Sequence, residues 1–131
     1  YNILYLSRYP YDKEFVRGIE RVFILEKPLN GLDIAWHSNG IVTGSGTFAR
    51  EAAGMGIPSV TTYNYDSHKN FLPVDKSLIE SEKILNSTNV ETIIAYLGAF
   101  NKNKPNLESA NYTKKSVIKI IEKLLTRIRN G

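Results

Sequence analysis

An alternation constrains this chain more than any other feature. Short apolar runs, "NILYLS" at residues 2–7, "RVFIL" at 21–25, "GIVT" at 40–43 and "PSVTT" at 58–62, are separated by segments of helical character. Runs that are apolar almost throughout, rather than at every second residue, are the pattern of strands buried on both faces, and such strands belong to parallel sheets. Parallel neighbours need a crossover between them, usually a helix. Residues 12–19 and 75–81 supply two such segments. "GLDIAWHS" supplies another, with Asn30 as its cap and Asp33 in the first turn, where the helix dipole favours an acid. "GSGTFAREAAGMG" runs from the third strand into a helix that stops at Gly56, and Thr88 with Glu91 forms a capping box for a helix through Tyr96. A short edge strand is expected at 83–85. The reading is an α/β fold: an open Rossmann-like parallel sheet of about five strands with helices on both faces.

The chain's 131 residues suit one domain with a single core. A polar break at 101–110, opening with "NKNKPN", reads as a linker before a C-terminal helix at 111–130. In that helix Val117, Ile121, Leu124 and Ile128 form a stripe expected to bury one side. Lys114, Lys115, Lys119, Lys123, Arg127 and Arg129 carry much of the net charge of +4. Because they alternate with the stripe, they read as the wet face of a helix and not as a nucleic-acid footprint. No cysteine is present, which excludes disulfides and thiolate chemistry. No apolar run approaches the roughly 20 residues of a membrane span, and no signal peptide opens the chain, so a cytoplasmic protein is expected. His37 and His68 share no ligand spacing with each other or with acids, so neither a metal site nor a cofactor is expected. Tyr1 stands one residue before a strand pattern, which reads as the abrupt start of a fragment.

In open parallel sheets ligands bind beyond the carboxyl ends of the strands. The third strand leads there into "GSGT", residues 44–47. Amides at the start of a helix are unpaired and carry partial positive charge, so they accept phosphate oxygens. Gly44 and Gly46 leave room for close approach and allow positive φ, while Ser45 and Thr47 add hydroxyls. The same four residues also make an ordinary strand-to-helix turn with a serine or threonine cap, and on the turn alone both readings stand. Glu51 lies one helical turn past Thr47, where its carboxylate can accept hydrogen bonds from two neighbouring sugar hydroxyls. Arg50 beside it serves either a ligand or a structural salt bridge. No lysine follows the second glycine, so this is not a Walker loop, and the dinucleotide fingerprint belongs after the first strand. Arg8, at the first strand's end, suits a phosphate or a surface ion pair equally. Tyr9, Tyr11, Tyr63 and Tyr65 stand near strand ends, where tyrosine stacks on a base or simply fills a half-buried rim. His68 is a candidate for general acid or base, against an ordinary loop residue.

"GSGTFAREAAGMGIPSV" is similar to the "GGTMxREAALLGxP" signature of the family known as domain of unknown function 354. "LSRYP", "EKPLNGLDIAWHSNGIVTG" and "LPVDKSLIES" resemble its other segments in order, so the likeness covers roughly residues 2–97. That family in turn resembles the GT-B superfamily, near the non-hydrolysing UDP-N-acetylglucosamine 2-epimerases and the MurG-type transferases. The resemblance implies that Ser45, Gly46 and Thr47 take a diphosphate, that Glu51 takes the ribose, and that Leu25, Glu26 and Lys27 face the base. Here Gly44-Ser45 replaces a glycine pair, Phe48 a methionine, and Gly54-Met55 a double leucine; the epimerases share the serine. It also implies the C-terminal half of a two-domain protein, with a UDP-sugar as ligand and this part inactive alone. That family opens the domain with one more strand, set between those matching "NILYLS" and "GIVTG". A missing N-terminal domain or a second chain is therefore expected to supply it. The rival readings are a non-catalytic binding or regulatory module, and a structural domain that dimerises through its sheet edge.

Overall fold

The computed structural model describes residues 1–63, 72–99 and 107–129. Five short parallel strands alternate with helical segments, as the sequence pattern requires, but they form two sheets, one of two strands and one of three. The chain divides accordingly into two units, Tyr1–Asn30 and Gly31–Gly131.

In the first unit β1 (Ile3–Tyr5) lies parallel to β2 (Val22–Ile24), with Ile3 opposite Val22, Leu4 opposite Phe23 and Tyr5 opposite Ile24. The segment expected as a helix over 12–19 is instead a 3₁₀ helix at Pro10–Phe15. Pro10 sets its first turn, and the Tyr9 amide donates to the Asp12 carboxylate at 3.0 Å. Gly18 and Arg21, both at positive φ, turn the chain back into β2 before a longer helix can form. The two strands were expected to be buried on both faces. Within this unit they are not: Ile3, Leu4 and Phe23 are exposed, because a sheet needs a layer on each face and the crossover here is one short 3₁₀ helix.

The second unit places α1 (Gly31–His37), β3 (Ile41–Thr43), α2 (Gly46–Gly54), β4 (Ser59–Thr61), α3 (Pro73–Glu80), β5 (Ile84–Asn86), α4 (Val90–Ala99) and α5 (Leu107–Arg129) in that order. The sheet order is β3-β4-β5, all parallel, and β5 is the edge strand the sequence suggested. β4, in the middle, is buried along its whole length.

α2 is the helix that builds this core. Its buried residues, Ala49, Ala52 and Ala53, follow the i, i+3, i+4 spacing of one helical face. Ala52 packs with Ala35, Ile41 and Ile57, while Ala49 and Ala53 pack with Ile84, with Leu78 and Ile79 alongside. Three methyl-sized side chains let the helix lie close on the sheet. The helix ends in a Schellman arrangement: the Ile57 amide donates to the Ala52 carbonyl and the Gly56 amide to the Ala53 carbonyl, both at 3.0 Å. Gly56 sits at φ +78°, which a side chain would strain.

Two expectations about the later helices are corrected. The cap of α4 is Asn89, not Thr88: its side-chain oxygen accepts from the Thr92 amide at 2.8 Å and the Thr92 hydroxyl at 2.7 Å. Asparagine is a better N-cap than threonine and stands one residue closer to the helix. α5 begins at Leu107, inside the segment read as linker, and its apolar stripe is not buried; Val117, Ile121, Leu124 and Ile128 are all exposed. The spacing determines which face is apolar, but it does not provide a surface to cover that face.

Candidate functional site

The turn between β3 and α2 is built by its own hydroxyls. Thr43 ends the strand, and its Oγ1 accepts from the Ser45 amide at 3.0 Å. Ser45 is the N-cap, in extended conformation, with its Oγ accepting from the Phe48 amide at 3.4 Å and its carbonyl from the Ala49 amide at 3.0 Å. Of the donors at this helix start, those two amides and that of Ser45 are therefore satisfied. The Gly46 and Thr47 amides have no acceptor among the described residues.

The glycines play different parts. Neither Gly44 nor Gly46 adopts positive φ, so conformational freedom does not explain them. A β-carbon on Gly44 would meet only the Thr62 hydroxyl, at 3.9 Å, which leaves open space beside the turn. A β-carbon on Gly46 would stand 3.2 Å from Nη1 of Arg50. The second glycine makes room for a guanidinium.

Arg50 reaches back along α2 to that position. Its Nη2 donates to Thr47 Oγ1 at 3.1 Å, and its Nη1 donates to Oδ1 of Asp75 at 2.7 Å. The ion pair is partly buried, with the arginine side chain 25% exposed and the aspartate side chain 10% exposed. The structure thus supplies the acid that the sequence left unnamed for Arg50. Of the guanidinium's five N–H donors, one goes to Asp75 and one to Thr47, which leaves three. The second carboxylate oxygen of Asp75, Oδ2, is buried and has no donor among the described residues. Sequence reasoning did not single out Asp75. It stands third in a helix opened by Pro73, where an acid reads as a dipole partner, and nothing local announces a pairing 25 residues back.

Glu51 is exposed and makes no ion pair among the described residues. One turn separates it from Thr47, so the two side chains are neighbours on the helix surface, about 5–6 Å apart at their β-carbons. The turn and the first turns of α2 therefore carry two open amides, two hydroxyls, a guanidinium and a carboxylate.

The other sequence candidates lie outside residues 44–51 of the chain. Arg8, Leu25, Glu26 and Lys27 lie in the first unit. There the Arg8 guanidinium carbon sits 5.5 Å over the Tyr9 ring, Tyr9 stacks on Tyr11, and Glu26 and Lys27 are exposed. His37 ends α1 on the surface. His68 and Tyr65 lie outside the described residues. Among the described residues no cluster of three or more histidines or acids could hold a metal, and no helix is long and apolar enough to cross a membrane.

The model of a family described as a protein of unknown function, DUF354, matches residues 1–129. The chain belongs to the DUF354 family. Among curated proteins it is similar to uncharacterized protein MJ0665 of Methanocaldococcus jannaschii, with 29% identity over 96 residues. That match covers 73% of this chain and 27% of the relative, so the chain spans about a quarter of the protein it resembles. No solved structure gives a significant match.

Proposed function

We propose that residues 44–51 hold the diphosphate and ribose of a nucleotide sugar, of UDP-sugar type. The observation that carries this reading is the pair of open amides, Gly46 and Thr47, at the N-terminus of a helix that follows the carboxyl end of a parallel strand. The exposed Glu51 carboxylate one turn on supports a ribose beside the phosphates. In this reading the DUF354 chain is the donor-binding part of a larger GT-B-type glycosyltransferase or sugar-nucleotide epimerase and is inactive alone. A titration followed by calorimetry and by amide shifts of residues 45–51, with UDP and UDP-N-acetylglucosamine, tests it. Both ligands should bind, and Glu51→Ala should weaken them about tenfold, the loss of hydrogen bonds to one charged acceptor. The absence of both heat and shift change with both ligands would sink the reading.

The open strand edges favour a second element of the proposal. β1 pairs only with β2, and β3 only with β4, among the described residues. A partner strand from elsewhere in the whole protein, or from a second chain, relieves edges that proteins avoid exposing. Sedimentation of the 131-residue chain distinguishes the sources: a second chain as donor gives a dimer, while a donor strand from the whole protein leaves a monomer.

A further inference from the structure

We propose that Asp75 is a positioning residue of the phosphate site: it holds the Arg50 guanidinium against the first turn of α2, where the guanidinium's remaining N–H donors meet the ligand's oxygens. This rests on the reading of residues 44–51 as a phosphate site. An arginine side chain is long and rotamer-rich, and fixing it costs entropy that is recovered only when several contacts act together. Here two contacts and the room beside them do. Asp75 grips Nη1 at 2.7 Å, Thr47 accepts from Nη2 at 3.1 Å, and Gly46 offers a gap that a β-carbon would narrow to 3.2 Å. Because Thr47 Oγ1 accepts from Arg50, its own proton is left to donate to another acceptor.

Asp75 itself is built at a cost that stability alone does not explain. Its side chain is nine-tenths buried, one oxygen is on Arg50, and the other is buried with no donor among the described residues. A buried ion pair with an unsatisfied oxygen is a weak stabiliser, which an apolar pair of similar volume often matches. What the apolar pair cannot do is aim a guanidinium. Arg50 also lies on the same helix as the open amides, while Asp75 comes from α3, so the pair fixes the guanidinium relative to the sheet-bound body of the unit.

The sign of the effect makes the test sharp. Removing a negative charge this close to a bound anion should, by Coulomb attraction alone, tighten binding. If Asp75 acts by positioning, the neutral and isosteric Asp75→Asn must instead weaken it. The experiment is calorimetric titration of the 131-residue chain with inorganic pyrophosphate and with UDP, using native protein, Asp75→Asn, Arg50→Met and the double variant. Gly56→Ala, at the other end of α2, is the control that lowers stability without touching the site. The expected result is a loss of about tenfold or more in pyrophosphate affinity for Asp75→Asn and for Arg50→Met, with no further loss in the double variant. Gly56→Ala should lower Tm and leave affinity unchanged. Unchanged or tighter binding by Asp75→Asn, or losses that add in the double variant, overturn the role of Asp75 while leaving the site in place. A native chain that binds neither pyrophosphate nor UDP overturns the phosphate reading and the role of Asp75 together.

Discussion

Cutting the Arg50–Asp75 pair from its two ends should have unequal consequences for stability, and the structure indicates which end matters more. Arg50→Ala leaves a carboxylate whose side chain is 10% exposed, with one oxygen already lacking a donor among the described residues and the other losing its only described one. An uncompensated buried charge costs about 3–5 kcal/mol, and the partial access here places the loss at about 3 kcal/mol. Asp75→Ala leaves a guanidinium that is 25% exposed, keeps its bond to Thr47 and can turn toward water. Discounted for that solvation, its loss is about 1–2 kcal/mol. The double variant removes both charges and should cost less than Arg50→Ala alone. At about 4–8 °C per kcal/mol for a domain near 100 residues, the Tm falls by roughly 12–24 °C for Arg50→Ala and 4–16 °C for Asp75→Ala. Urea unfolding followed by far-ultraviolet circular dichroism gives all three free energies. A loss for Asp75→Ala as large as that for Arg50→Ala would refute the reasoning, and so would losses below about 0.5 kcal/mol for both, which is the signature of a solvated surface pair.

Three further outcomes are expected. Gly56→Ala should cost about 1–2 kcal/mol in the same unfolding assay, because alanine at φ +78° is forced into the left-handed region. Asn89→Ala should cost about 1 kcal/mol through loss of the α4 cap, whereas Thr88→Ala should cost a few tenths at most; the reverse ranking would restore Thr88 as the cap. Burial, opposed by a hydrogen bond with the Ser59 backbone and reinforced by the nearby Glu82 charge, raises the Tyr96 hydroxyl above its ordinary pKa of 10.0. The folded state then holds that proton more tightly than the unfolded state, so this contribution is complete below pH 10 and is lost as pH rises through the raised value. Stability measured from pH 8 upward should decline less steeply in Tyr96→Phe than in the native chain.

Local features of this protein were legible in the sequence, and pairings across distance were not. The strand and helix alternation followed from short runs such as "GIVT" and "PSVTT"; β4 is buried along its length as that pattern suggests, whereas Val42 of β3 is exposed. The start of α2 was readable because glycine, serine and threonine act on backbone groups within three residues. The sequence showed Arg50 and Glu51 as adjacent charges but could not say that one turns to Asp75 and the other faces solvent, since that depends on where α3 packs. Gly46 was read as room for a ligand, and the first occupant of that room is a guanidinium. The segment at 12–19 was read as helical, and the structure gives a 3₁₀ helix at Pro10–Phe15; Phe15 and Ile19 are exposed and gain nothing from a longer helix. The stripe of α5 was read correctly as a pattern and wrongly as a buried face, because periodicity carries no information about a partner.

β4 is the one strand among those described with a neighbour on both sides, and its three residues are buried. Its amides should therefore be the slowest in the second unit to exchange hydrogen with solvent, opening only when the unit unfolds globally. Directly across the ladder, Thr43 pairs with Thr61 and passes within two residues to the serine cap and then to amides with no acceptor, which should exchange almost freely. The slowest and fastest clocks of the unit thus stand side by side. A ligand at the turn would slow one and leave the other untouched, so the sheet provides an internal time standard against which occupancy of the site can be read without any label.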